Sequence, residues 1–330
     1  MKKLILSILS LILLASCQEQ EGTEGGTADV FKRASKGTHH ELMVVLEDEA
    51  WEGRFGEYLR ETLAEPVEEL VEAEARFSFF QVNNSAFDQL LFETYKSIII
   101  FEERDTTPFY QIVYDEWAAP QIVVYYGGPD INTMGALFAR TKDDVLQKIE
   151  DHDRKVLVRR LRKMAYNNLP PQLSEVYIDR MVLPSGFYLS QDRENLKVFK
   201  SENVRTDQYI FFHVRPIGEN PMGEIIEARD SILKNYFEGP SDDSYLGTEM
   251  RIAPTLTQTT IDDHIAFKLS GRWRTYGDFM GGPFVSYTVF LDDLDLVVTI
   301  DGFINGPDGD HRKLMMEMEA IMESARFRQG

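Results

Sequence analysis

The only cysteine of the chain, Cys17, follows a short apolar stretch near the N-terminus. Two lysines precede that stretch, which covers residues 4–14 and has the length of a signal-peptide hydrophobic region, too short to span a bilayer. Two small residues then separate it from Cys17, which is the order found in bacterial lipoprotein signals. We therefore expect residues 1–16 to be removed and Cys17 to be acylated, so that lipid chains hold the mature protein on a membrane.

An acylated cysteine leaves the chain without a thiol, which excludes disulfides, thiolate metal sites and cysteine nucleophiles. The fold must then be stabilised by packing, and 330 residues of which 43% are hydrophobic are enough for two cores. Loss of residues 1–16 removes two of the 35 basic residues, leaving 33 against 55 acidic ones and a net charge of −22. That charge argues against nucleic acid as a partner and gives no attraction to anionic lipid headgroups.

Hydrophobic periodicity predicts a tether and then a first domain. Residues 17–40 are polar and contain glycine, so we expect the acylated cysteine to be followed by a flexible tether. Residues 41–168 have the pattern of an N-terminal α/β domain. A helix capped by Ser85 and carrying Phe87, Leu90, Leu91 and Tyr95 is predicted inside it, and the two prolines in residues 167–171 mark the end of the domain. The longer predicted elements are strands at 42–46, 76–82, 98–101, 110–114 and 121–126 and helices at 51–63 and 132–164.

Residues 172–330 predict a C-terminal α+β domain. Its helices are predicted at 223–237 and after Asp310, a residue type that caps helices. The order of elements indicates an antiparallel sheet covered by two helices, so the fold class of the whole chain is α+β with two α/β domains. This order is similar to the topology of the PsbP/Mog1-like fold. The predicted strands are at 175–182, 196–200, 208–215, 265–273, 284–291 and 296–304.

One further pattern is spread over essentially the whole mature chain. It comprises Asp48, residues 50–53, 59–60, 117–121 and 271–273 and, above all, the stretch Gly-Asp-Phe-Met-Gly-Gly-Pro-Phe-Val-Ser-Tyr at 277–287. Together these segments resemble an uncharacterised lipoprotein family of the Bacteroidetes known as a domain of unknown function, from whose pattern the chain departs at 69–75. The resemblance implies a Gram-negative envelope and no particular reaction. Gln18 after the cysteine is compatible with an outer-membrane location.

The stretch 277–287 begins with three glycines and a proline in seven residues, which lets the backbone adopt positive φ and approach a ligand closely. Alternation along the preceding strand sends Arg272 and Arg274 to one face, where they are suited to hold an anionic group. The alternative is a tight turn with Phe279 and Met280 folded into the core and the arginines paired with neighbouring acids. The candidate binding residues are Arg272, Arg274, Asp278, Phe279, Gly281 and Gly282.

A second candidate site is a run of cations near the end of the helix predicted at 132–164. Cations at a helix C-terminus interact favourably with the helix dipole, which accounts for most of the pattern. The alternative is contact with an acidic partner or with lipid phosphates. The residues of this basic patch are Lys155, Arg159, Arg160, Arg162 and Lys163.

Sequence motifs of enzymes are missing. The chain has no Gly-x-Ser-x-Gly elbow, no phosphate-binding glycine loop and no His-Glu-x-x-His, and Ser231-x-x-Lys234 lacks the companion motifs of penicillin-recognising enzymes. We therefore assign no catalytic residue, metal or cofactor. The leading hypothesis is an outer-membrane lipoprotein that acts by binding, or as an assembly module, with an envelope protein as its partner. Two alternatives stay open: an envelope hydrolase that cleaves glycan or peptide with a carboxylate pair, and a carrier of an apolar ligand.

Overall fold

A computed structural model describes residues 32–87, 91–164, 169–306 and 310–328. The predicted signal peptide, Cys17 and the predicted tether up to residue 31 lie outside the described residues. Residues 165–168, at the predicted domain boundary, lie outside them as well, so the division into two domains stays a prediction. Within the described ranges, no helix is both long and apolar enough to cross a membrane.

The N-terminal half is built on a mainly parallel sheet. The strands of this half are β1 (Arg33–Ala34), β2 (Glu41–Val45), β3 (Ser78–Val82), β4 (Ser97–Glu103), β5 (Phe109–Tyr114), β6 (Ala118–Ala119) and β7 (Ile122–Gly128). Its helices are α1 (Asp48–Glu52), α2 (Arg54–Leu63), α3 (Asn84–Phe87) and α4 (Ile131–Met164). The main sheet has the order β3-β2-β4-β7-β5, and only β5 is antiparallel to its neighbour. Parallel strands are covered on both faces, which explains the nearly continuous apolar runs of β2 and β4.

Helices α2 and α4 cover one face of this sheet. Leu59 of α2 and Phe138 of α4 pack in one core with strand residues such as Val44. The helix predicted at 51–63 is divided at Gly53 into α1 and α2. The strands predicted for this half and the helix predicted at 132–164 are confirmed within a few residues of their expected ends.

Helix α3 is shorter than predicted and begins differently: it spans Asn84–Phe87, and residues 91–95, expected in the same helix, are not helical. Asn83 rather than Ser85 caps it, because the side-chain oxygen of Asn83 accepts the backbone N–H of Ala86 at 2.8 Å. Ser85 lies inside α3, where its hydroxyl donates to the same oxygen at 3.0 Å.

The predicted tether was too long, because residues 33–40 belong to the fold. Strand β1 pairs in parallel with β6, and the backbone of Lys36 bonds to that of Thr94 at 2.8 Å. The backbone N–H of His40 donates to a carboxylate oxygen of Asp153 at 2.7 Å, and Asp153 also pairs with Lys96 at 2.9 Å. The polar composition of this segment concealed these contacts because most of them are made by backbone groups.

The C-terminal half is an antiparallel sheet with helices on both faces. Its main sheet has the order β12-β14-β15-β16-β11-β10-β9, with β13 also paired to β14, and β8 pairs separately with β17. The strands are β8 (Ile178–Arg180), β9 (Tyr188–Asp192), β10 (Leu196–Glu202), β11 (Asp207–Pro216), β12 (Tyr245–Thr248), β13 (Thr255–Ile261), β14 (His264–Tyr276), β15 (Gly281–Leu291), β16 (Leu296–Asn305) and β17 (Arg326–Phe327). The helices are α5 (Gln172–Glu175), α6 (Ile225–Tyr236) and α7 (His311–Glu323).

The two faces of this sheet have separate cores. Tyr287 of β15 packs on the side of Met318 in α7, whereas Phe284 of the same strand packs on the side of Leu233 in α6. The predicted antiparallel sheet covered by two helices is therefore confirmed, and so is the α+β fold class. Asp310 caps α7 as predicted, accepting the backbone N–H of Lys313 at 3.0 Å. The strand predicted at 175–182 was too long, because α5 occupies its first residue and only Ile178–Arg180 forms β8.

A buried ion pair holds α6 on the sheet. The guanidinium of Arg229 donates from Nε to Asp301 Oδ2 on β16 at 2.7 Å, and its Nη1 donates to the Thr248 hydroxyl at 3.0 Å. Arg229 is 1% and Asp301 0% exposed. Burial raises the pKa of Asp301, and the charge of Arg229 opposes that shift.

Helix α4 contributes to both halves. Its last turns pack in the core that also holds α7, and Arg154 forms ion pairs with Glu319 at 3.3 Å and Glu323 at 3.1 Å of that helix. The segment after α2 crosses to the same core through Leu70. These contacts bring residues 65–76 of the N-terminal half beside β14 of the C-terminal half.

Candidate binding groove

The turn between β14 and β15 exposes one phenylalanine, Phe279, to solvent. Gly277 has a φ of +91°, a conformation that side chains disfavour, and the N–H of Thr275 bonds to the carbonyl of Met280 at 2.8 Å across the turn. The Asp278 carboxylate accepts the Ser241 hydroxyl and the N–H of Phe279, each at 2.6 Å. The Ser241 bond, followed by the backbone bond, lowers the pKa of Asp278. The Phe279 side chain, at the tip, is fully exposed.

The alternative that both turn residues fold into the core is wrong for Phe279. Met280, in contrast, is partly buried and packs against the core beneath α6. Asp278, which the sequence suggested as a ligand-binding residue, is engaged in holding the turn against the loop at Ser241.

The two predicted arginines share one face of β14, as alternation requires, but have different roles. Arg272 donates from Nη2 to the backbone carbonyls of Glu68 at 2.7 Å and Leu70 at 2.6 Å, so it joins residues 65–76 to the C-terminal sheet. The guanidinium of Arg274 lies 3.5 Å from a carboxylate oxygen of Glu249, the pairing with a neighbouring acid that the alternative predicted.

Sequence reasoning missed a third arginine in this place. Arg251 donates from Nε to both carboxylate oxygens of Glu249, at 3.0 and 2.9 Å, and its side chain is 78% exposed. Hydrogen bonds from Arg251 are the largest cause that lowers the pKa of Glu249 to about 2. Arg251 follows β12 and is far in sequence from 277–287, so only the pairing of β12 with β14 brings it here.

These residues line an open depression of about 500 Å³, which we call the Phe279 groove. Three arginines face two carboxylates in it, and the apolar side chains of Val71 and Ile252 on its rim are exposed. Gly282 is not among the lining residues: a Cβ there would lie 2.2 Å from the carbonyl oxygen of Ile304, so packing of neighbouring strands explains that glycine. The lining residues are Val71, Glu249, Arg251, Ile252, Arg272, Trp273, Arg274, Asp278, Phe279, Met280 and Gly281.

The predicted basic patch lies on the last turns of α4. All five of its residues, Lys155, Arg159, Arg160, Arg162 and Lys163, are exposed. Its neighbour Arg154 is instead bound to α7. A role of the patch in contacting a partner or lipid stays a prediction. Among the described residues, no group of three or more His, Asp or Glu has the arrangement of a metal site.

Comparisons with known families divide the chain in the same way as the two sheets. Residues 35–162 match the model of a family described as Domain of unknown function (DUF8532), and residues 170–324 match another described as Domain of unknown function (DUF4837). Both halves thus resemble families of unknown function. The expected resemblance to such a family is confirmed to this extent, whereas the Bacteroidetes origin and the lipoprotein character stay predictions. No curated protein matches the chain.

Two solved structures show a distant likeness to the chain. The Ran-binding protein Mog1p of Saccharomyces cerevisiae is 10% identical over 45% of this chain and 89% of its own, with a TM-score of 0.29. A fragment (25–204) of a STAR-related lipid transfer protein from Xanthomonas axonopodis is 10% identical over 42% of this chain and 96% of its own, with a TM-score of 0.17. The weak likeness to Mog1p is the counterpart of the predicted similarity to the PsbP/Mog1-like topology. Neither likeness bears on function.

Proposed function

We propose that the chain is a lipid-anchored protein of the cell envelope, held on the outer membrane through Cys17, that binds a protein partner in the Phe279 groove. The observation that carries the proposal is the full exposure of Phe279 beside Arg251, Arg272 and Arg274. Aromatic residues and arginine are the side chains that contribute most to protein–protein binding. Apolar side chains exposed together and surrounded by charged ones are typical of interaction surfaces.

The charges of the groove favour a partner segment that carries a carboxylate next to an apolar side chain. Three guanidinium groups exceed the two carboxylates, Glu249 and Asp278, in a chain with an overall charge of −20. Arginine binds carboxylates with two parallel hydrogen bonds, which gives direction to such a contact.

The groove is also held in shape before a partner binds. The backbone bond between Thr275 and Met280 and the bond from Ser241 to Asp278 hold the turn, and Arg272 fixes the side formed by residues 65–76. Less conformational freedom is then lost on binding, which favours affinity for a given contact area.

Site-specific photo-crosslinking in intact cells tests the proposal. A photoreactive amino acid replaces Phe279 in the lipid-anchored chain, and the captured proteins are identified by mass spectrometry. Val204, 96% exposed in the loop between β10 and β11, gives the matched control position. We expect one envelope protein to be captured at 279 and not at 204, and its capture to fall when Arg251→Glu reverses a charge of the groove. Equal capture at both positions, or capture insensitive to Arg251→Glu, would contradict the proposal.

A further inference from the structure

A second cavity lies on the opposite side of β14 from the Phe279 groove. It is open to solvent, has a volume of about 320 Å³ and is bounded by β9, β11, β12, β14, β16 and the chain after α6. This volume is at the lower end of the range of about 300–1,000 Å³ that is usual for ligand pockets. Most of its lining is apolar or aromatic, including Tyr209, Phe237, Leu246, Trp273, Met280 and Phe303, while Gln191, Glu238 and Asn305 add polar groups.

Aromatic rings pack against one another to form the wall of this cavity. Phe303 stacks on Tyr209 with a centroid distance of 4.7 Å and an angle of 7°, and it meets Trp273 and Phe237 edge to face at 5.5 Å each. The indole N–H of Trp273 is already bonded to the carbonyl of Ile304 at 2.9 Å. The tryptophan therefore offers a ligand its apolar surface rather than a hydrogen bond.

One buried hydroxyl group at the cavity lacks a hydrogen-bond partner. Thr275 is 0% exposed and lines the cavity, and its hydroxyl oxygen has no hydrogen-bond partner among the described residues. Buried hydroxyls are nearly always bonded, because leaving one unpaired costs free energy. A ligand with a single hydrogen-bonding group would supply the missing partner.

We propose that this cavity binds a small, flat, mainly apolar molecule that carries one hydroxyl or carbonyl group. The aromatic wall covers the ring of the ligand, and the Thr275 hydroxyl bonds to its polar group. The volume admits one or two rings and excludes a lipid with two acyl chains. The site does not depend on the function proposed for the Phe279 groove. Along β14, Trp273 and Thr275 alternate with Arg272 and Arg274, so the two pairs lie on opposite faces of the strand.

Two probes of almost the same shape test both parts of the site. p-Cresol and p-xylene differ by one hydroxyl, and calorimetry gives their dissociation constants for the mature chain, residues 17–330, carrying Cys17→Ser so that no detergent is needed. We expect p-cresol to bind about three- to tenfold more tightly than p-xylene, the worth of one hydrogen bond. Thr275→Val should abolish this preference and leave p-xylene binding within about twofold, since it removes the hydroxyl with little change of shape.

Thr299→Val is the matched control, because Thr299 is a buried threonine of the same sheet that does not line the cavity. It should retain the preference. Failure of both probes to bind, or a preference that survives Thr275→Val, would overturn the proposal.

A measurement on the unaltered cavity decides the matter if Thr275→Val does not fold. The chain has three tryptophans, whose indole N–H signals are separate probes in N–H correlation NMR spectra, and Trp273→Phe assigns the signal of Trp273. p-Cresol should shift the Trp273 signal and leave those of Trp51 and Trp117 in place. A shift of all three signals, or of none, refutes the site. Phe279→Ser should not alter these shifts, so failure here is distinguishable from failure of the groove.

Discussion

Removal of Arg229 tests how the C-terminal half is held together. Arg229→Met leaves the Asp301 carboxylate, 0% exposed, without the guanidinium that now lies 2.7 Å away. Breaking a buried ion pair on one side costs about 3–5 kcal/mol of unfolding free energy, because a charge stays buried without compensation. Since a domain is stable by only about 5–15 kcal/mol, this single change should remove a large fraction of its stability. Urea unfolding followed by tryptophan fluorescence, to which the buried Trp273 of this half contributes, measures the loss.

The double variant Arg229→Met/Asp301→Leu is the critical comparison. Replacing both members of a buried pair by apolar residues is often neutral or stabilising, so we expect most of the loss to be recovered. The interaction energy from the double-mutant cycle should then be about 3 kcal/mol or more. A double variant as unstable as Arg229→Met would refute this reasoning and show that packing, not charge, is responsible.

The pH dependence of Arg229→Met gives an independent check. Burial raises the pKa of Asp301 and the charge of Arg229 opposes that shift, so the folded pKa should be higher in the variant than in the wild type. In the unfolded chain the pKa of Asp301 stays near 3.8. Below that value both states are protonated and the deficit against wild type is smallest. As pH rises above 3.8, the wild type and the variant both lose stability, because the pKa of Asp301 is raised in both folded proteins, but the variant continues to lose it up to its higher folded pKa, so the deficit grows between the two folded pKa values. A deficit that is constant from pH 4 upwards would contradict the assignment.

Three further predictions concern the anchor, the groove and the histidines. Cys17→Ser should move the chain from the detergent-rich to the aqueous phase in detergent phase separation, and an unchanged distribution would contradict acylation. Phe279→Ser should change the unfolding free energy by no more than about 0.5 kcal/mol, measured in urea, since the side chain is fully exposed. Burial lowers the pKa of His213 to about 4, from 6.5, so its contribution to stability is present above pH 6.5 and is lost as pH falls towards 4. His213→Phe should therefore make the urea midpoint less sensitive to pH between 6.5 and 4 than it is in the wild type, and an equal slope would contradict this.

The central strands and the caps of this fold could be predicted because their signals are local. Strands β14, β15 and β16 are long and rich in apolar residues, and Asp310 directly precedes the helix that it caps. Strand β13 was missed because it is a polar, mostly exposed strand that pairs only with β14 and shows little hydrophobic pattern. Strands β9 and β12 were also missed, β9 because it has no fully buried residue and β12 because it is only four residues long.

The candidate sites show a second limit of prediction from sequence, which is the register between strands that are distant in the chain. Alternation along β14 correctly placed Arg272 and Arg274 on one face, but it contains no information on which segments lie across from them. Arg251 therefore escaped notice, and the sequence did not show that Arg272 bonds two backbone carbonyls. The alternative that buries Phe279 in the core rested only on the apolar character of Phe279. Its exposure depends on the bond between Asp278 and Ser241, which are 37 residues apart.

Strand β14 connects the two proposed sites, and its alternation also keeps them apart. The sheet lies between the Phe279 groove and the aromatic cavity, so a protein partner and a small molecule would not compete for the same space. Trp273 and Met280 are nevertheless lining residues of both, and Met280 lies at the end of the turn that presents Phe279. A ligand that pushes against Met280 acts on the backbone bond between Thr275 and Met280, and thus on the position of Phe279. If the two sites influence each other, this turn is the shortest physical route, because the rest of the boundary between them is the hydrogen-bonded sheet.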